Sequence, residues 1–114
     1  MKDSNDCAVY AVAFTCFDCP AAVRVHLWRA GRKRGDGATD KQILQVIRYY
    51  GRTAKVYHTQ CKTIRSFARA EHHGTYIVVT SDHVVAVVDG HVCGRVRDSD
   101  LMRVEKVWEI TDSI

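Results

Sequence analysis

The segment TYIVVTSDHVVAVVDGHVCGRVRD, residues 75–98, decides the fold. It reads as three strands joined by two tight turns. TYIVVTS (75–81) and HVVAVV (83–88) are short, apolar and rich in β-branched residues, as strands are. Asp89-Gly90 between them and HVCGRVRD (91–98) is the strongest short-range hairpin signal, because a two-residue type I′ turn needs positive φ at both central positions. Such a turn pairs Val88 with His91 and so sets His83 opposite Val96. Gly94 and Asp98 then share the side of the sheet that carries His83. Further on, RVEKVWEI (103–110) alternates Val104, Lys106, Trp108 and Ile110 and reads as a final strand.

Upstream the period changes. Ser4, Asn5 and Asp6 are all good N-cap residues. They precede CAVYAVAFTC (7–16), which is too continuously apolar for a surface helix and is expected to be a buried one. Pro20 suits the first turn of a second helix, AAVRVHLWRA (21–30), stopped by Gly31. GRKRGDG (31–37) is a charged loop. Thr39 or Asp40 caps a third helix, DKQILQVIRYY (40–50), with Ile43, Leu44 and Ile47 as its apolar face and Gly51 at its end. TAKVYH (53–58) reads as a strand. TIRSFARAEHH (63–73) is a fourth helix, with Ile64, Phe67 and Ala68 inward and Gly74 as its stop. Helices first and an antiparallel sheet after predict an α+β domain.

The 114 residues suit one domain, residues 1–114. Hydrophobic residues at 46% and charged residues at 26% exclude a disordered chain. The five cysteines are too sparse for a disulfide-built scaffold, and an odd number leaves at least one thiol without a partner in the chain. That favours a reducing compartment. Asp3 and Asp6 flank the start, and the apolar stretch from Ala8 to Phe14 is short, so neither a secretory signal nor a membrane span is expected, and the expected location is the cytoplasm. The 31–37 cluster, three basic residues against Asp36, supplies half of the net charge of +4. That cluster has neither interleaved aromatics nor a recognition-helix pattern, so nucleic acid is not the expected partner and a solvated loop is the plainer reading.

Two residues carry the chemistry. A thiol attacks a carbonyl carbon as thiolate, and a helix N-terminus with an imidazolium nearby favours that form. Cys7 stands at such a position, just after three cap residues. His83 opens a strand after the short turn TSD. A helix-borne Cys followed by a strand-borne His is what a papain-type site requires. The bland alternatives are a buried small hydrophobe for Cys7 and an exposed strand-end imidazole for His83.

NDCAVYAVA resembles the nucleophile segment of papain-like cysteine peptidases, nearest to the small C39-like bacterial and phage-type members. GTYIVVTSDHVVAVVDGHV resembles their histidine-bearing hairpin, and TIRSFARAEHHG fits the helix before it, so the likeness spans nearly the whole chain. It implies a minimal papain-like core, N-terminal helices packed on a C-terminal antiparallel sheet, and cleavage of an amide or peptide bond. Cys7 matches the nucleophile and His83 the general base. The Cys7 N–H would supply half of an oxyanion hole. Members often carry a Gln about six residues before the Cys; here that place is Met1, and Asn5 is the nearest amide side chain. An acid often follows the DG turn by about four residues; here that place is Gly94, and Asp98 is the carboxylate able to point toward His83. The resemblance implies no metal or organic cofactor, a protein or peptide substrate, a monomer, and a bacterial or phage-encoded chain acting on a host protein in the cytoplasm. The same departures fit a second reading, in which the fold is kept, catalysis is weak or lost, and the protein binds and modulates a host or partner protein.

In the family's layout the loops after the first helices border the substrate groove. Trp28, Arg32, Lys33 and Arg34 are therefore candidate substrate-binding residues, and Trp28, Tyr49, Tyr50 and Trp108 read as core or groove-lining aromatics. Cys16 and Cys19 form a CxxC, but no second CxxC or HxxxH accompanies it, and two structural thiols are expected rather than a zinc site. His72 and His73 are expected to end the fourth helix.

Overall fold

The computed structural model describes residues 7–33, 38–80, 83–93 and 103–112. Local side-chain chemistry sets most helix ends. α1 (Cys7–Cys16) stops at Phe17, whose φ is 58°, and the Asp18 N–H reaches back to the Ala13 carbonyl at 3.2 Å. This is a Schellman-type stop with phenylalanine where glycine is usual. α2 (Pro20–Arg29) has Pro20 in its first turn, where the missing N–H has no intrahelical partner to lose. α3 (Asp40–Tyr49) opens on a full capping box. The Gln42 N–H donates to the Thr39 hydroxyl and the Thr39 N–H to the Gln42 side-chain oxygen, so the cap is Thr39, not Asp40. Thr63 and Ser66 make the same exchange ahead of α4 (Ile64–Ala70). That helix ends earlier than its sequence predicts. Glu71 leaves the helical backbone and accepts a hydrogen bond from the Tyr57 hydroxyl, so His72 and His73 lie beyond α4.

The strands are β1 (Arg52–Val56), β2 (Thr75–Val79), β3 (Val84–Val88), β4 (His91–Cys93) and β5 (Lys106–Asp112). They form one sheet in the order β1-β5-β2-β3-β4, with every described pair antiparallel. The β3–β4 hairpin has the expected register: Val88 pairs with His91 and Ala86 with Cys93. Asp89 and Gly90 have φ of 50° and 82°, the positive pair a type I′ turn demands. Gly94, Val96 and Asp98 lie outside the described residues.

Alternation along the strands sorts the core into two clusters. Ile77, Trp108 and Ile110 pack with Ala8, Val9, Val12, Val23, Leu27, Ile43, Val46 and Ile47, which places α1, α2 and α3 on one face. Tyr76, Val78, Val85, Val87 and Val107 pack with Ile64, Phe67 and Ala68, which places α4 on the other. The architecture is thus α+β, with helices on both faces of the sheet and not only N-terminal helices above a C-terminal sheet. β1 comes from the first half of the chain, and the last strand inserts beside it. β5 is consequently buried on both sides. Val104, expected to share the Trp108 face, precedes β5 and packs with the α4 cluster instead.

Backbone geometry gives two stability predictions. At Gly90 the φ of +82° and an Ala68 carbonyl 3.3 Å from where a Cβ would sit both oppose a side chain. Gly90→Ala is expected to lower unfolding free energy by about 1–2 kcal/mol. Phe17→Gly is expected to raise it by roughly 0.5–1 kcal/mol, after loss of the Arg52 guanidinium contact with the ring. Urea titrations of both variants provide the check.

A third prediction concerns acid. The Tyr50 hydroxyl donates to Asp18 Oδ2 at 2.7 Å and ties the end of α1 to the end of α3. That bond is the main cause holding the Asp18 carboxyl below its ordinary 3.8, the Cys19 N–H being the next. A carboxyl depressed in the fold stabilises it above the unfolded value, and the effect disappears as pH falls through the folded one. Wild type should therefore exceed Tyr50→Phe in stability at pH 6, and the gap should close below about pH 4.

Candidate functional site

α1 is apolar around its whole circumference, and Ala8, Val9, Ala11, Val12 and Ala13 are all buried. It lies chiefly along β3, with α2 and α3 packed beside it. Its direction follows from its C-terminal end. The Phe17 ring lies under the Arg52 guanidinium, 5.4 Å from its centroid, and Arg52 pairs with Asp112 where β1 starts and β5 ends. Tyr50, just before Arg52, holds Asp18. The ten residues of α1 span ~15 Å and five-residue strands ~17 Å, so helix and strand match in length. The first residue, Cys7, is thereby carried to the opposite end of the sheet. There Val79 pairs with Val84 and with Lys106. α3 runs the same way, because Asp40 in its first turn pairs with Lys106.

His83 stands at that same end, one residue before β3. Its backbone is held from two sides. The Thr80 N–H donates to the His83 carbonyl at 2.8 Å, and the His83 N–H donates to the Thr80 hydroxyl at 3.0 Å. Thr80 is buried, whereas His83 and Cys7 are each half-buried. Val84, next to His83, packs in the cluster that contains Ala8 and Val9, next to Cys7. The thiol-bearing end of α1 and the imidazole-bearing turn thus share one end of one apolar cluster. The N–H groups of the first turn of α1 have no carbonyl partner within the helix and favour negative charge beside them.

No family model, curated protein or solved structure matches the chain. The site therefore rests on its own geometry. Asn5, Arg34 and Asp98 lie outside the described residues. Lys33 is exposed, but Arg32 is only 4% exposed, so its side chain does not belong to a solvated loop. Trp28 is 67% exposed on the outer face of α2 and is neither a core residue nor turned toward α1. Tyr49 is likewise exposed, while Trp108 is a core residue. Sequence reading passed over Thr80. A Thr opening the polar run TSD is a recognisable local capping signal, but only the fold reveals that its hydroxyl anchors His83.

A cleft of about 270 Å³ opens at this end of the sheet, between residues 56–61 and 104–107. It is slightly smaller than the roughly 300–1,000 Å³ of typical small-ligand pockets. Among the described residues, no group of three or more His, Cys, Asp or Glu side chains could hold a metal ion. Nor is any single described helix long and apolar enough to cross a membrane.

All five thiols are free. Burial pushes the Cys16 and Cys93 thiols up from their ordinary value, whereas Cys19 is exposed. With Ellman's reagent at pH 8, Cys19 should react faster than Cys16 and Cys93, as read by mass mapping over a time course.

Proposed function

We propose that the protein is a small papain-like cysteine peptidase or amidase with Cys7 as nucleophile and His83 as general base. The observation that carries this reading is the orientation of α1, which puts Cys7 at the sheet end where the Thr80-anchored His83 enters β3. The chain order, helix-borne thiol before strand-borne imidazole, supports it as well.

In this mechanism His83 takes the Cys7 proton. The thiolate attacks the acyl carbon, and the carbonyl oxygen gains negative charge facing the first-turn N–H groups of α1. The protonated imidazole then gives its proton to the departing amine, leaving a thioester on Cys7. Water, deprotonated by His83, hydrolyses the thioester and restores the thiol. Thr80 acts as a positioning residue, because its two backbone hydrogen bonds fix where the imidazole starts. Asp98 is the carboxylate proposed to orient the ring, and Asn5 the side chain proposed to complete the oxyanion site. The fold needs no added group for this chemistry.

Iodoacetamide at pH 6 tests the pair directly. Cys7 should be alkylated at least tenfold faster than the other four thiols, and His83→Ala should remove that preference while leaving the far-UV spectrum unchanged. Uniform slow labelling of all five thiols would sink the reading. Cys7→Ser should abolish hydrolysis of a peptide library without changing the fold.

A further inference from the structure

The outward face of α2 has the composition of an interface, not of a solvated helix. Val23 and Leu27 point inward and are fully buried. On the opposite side, at 100° per residue, Ala21, Val25 and Trp28 fall within roughly 60° of one another. Val25 is 43% and Trp28 67% exposed, and Ala21 is exposed too. Arg24 borders this stripe on one side and Arg29 on the other, both exposed. The helix contains no acidic residue. It is therefore apolar inside and out, with positive charge on both flanks.

We infer that this face docks an acidic amphipathic segment of a partner protein. Trp and Arg are the side chains over-represented at binding hot spots, and here they lie side by side. Covering Trp28 removes up to roughly 150–250 Å² of aromatic surface from water. A partner helix with apolar anchors spaced to match Ala21, Val25 and Trp28 would set a carboxylate against Arg29. A second copy of this chain fits less well. A two-fold interface centred on α2 lays the same stripe on itself, so arginines meet arginines with no carboxylate on either helix. A membrane surface fits less well too: the other side of this ten-residue helix is committed to the core, leaving two large apolar side chains to insert. The inference is independent of the Cys7–His83 chemistry.

The experiment titrates ¹⁵N-labelled protein with a synthetic Leu/Glu heptad peptide. Amide shifts should concentrate on residues 21–29 and the Trp28 indole N–H, and a Leu/Lys peptide of the same length should produce none. Trp28→Ala and Arg29→Glu, both surface changes with circular dichroism as fold check, should each weaken binding at least tenfold. Absence of shifts, shifts elsewhere, or equal response to the Leu/Lys peptide overturns the inference. So does a response to phosphatidylserine vesicles without one to the Leu/Glu peptide, or sedimentation as a dimer that Trp28→Ala abolishes.

Discussion

Burial of α1 is the constraint on which the rest depends. A helix this apolar must be covered over most of its surface, because each fully buried aliphatic side chain contributes about 1.5–3 kcal/mol; Phe14, 43% exposed, marks its outer side. One face of the sheet supplies the floor, mainly through β3 and β2. α2 and α3 supply the walls. The buried hydroxyl of Thr15 is satisfied within the helix, donating to the Ala11 carbonyl at 3.0 Å. Once α1 is clamped there, its first turn is fixed against the end of the sheet, and a residue at its start inherits a defined place.

The sheet that receives α1 is stiffened by how its strands are ordered. Inserting β5 between β1 and β2 gives it two full ladders and buries Val107 on one face and Trp108 and Ile110 on the other. α4 closes the second face through Phe67, whose ring meets those of Tyr57 and Tyr76 edge-on at 6.0 and 5.1 Å. Burial keeps the Tyr76 phenol above its ordinary range, and the neighbouring Glu71 carboxylate adds to the shift. The end of the sheet where Cys7 and His83 stand is thus built on a core packed from both sides.

Most of the local structure was legible in the chain. The I′ turn at Asp89-Gly90, a cap at Thr39 or Asp40 and the ten-residue α1 are written in residues that touch each other, so short-range chemistry determines them. The errors have a common cause. α4 was read too long because Glu71 prefers a contact with Tyr57, fourteen residues away. Val104 was put on the wrong face because the strand starts two residues later, after its N–H bonds the Lys62 carbonyl. Trp28 was read as core or groove-lining, yet helical position alone cannot say which side of α2 faces inward. Arg32 was read as part of a solvated loop, whereas the start of that connection folds against the body of the protein.

Neighbours along the chain set most of the elements, the hairpin register, and a thiol at a helix start ahead of an imidazole at a strand start. Only the tertiary structure decided that β5 enters the middle of the sheet, that α4 takes the opposite face, and that α1 runs so that its first residue meets the sheet end where His83 is anchored. Those choices depend on contacts between residues dozens of positions apart, such as Tyr50 with Asp18 and Lys106 with Asp40. Local propensity carries no information about them; burial of the two apolar clusters does.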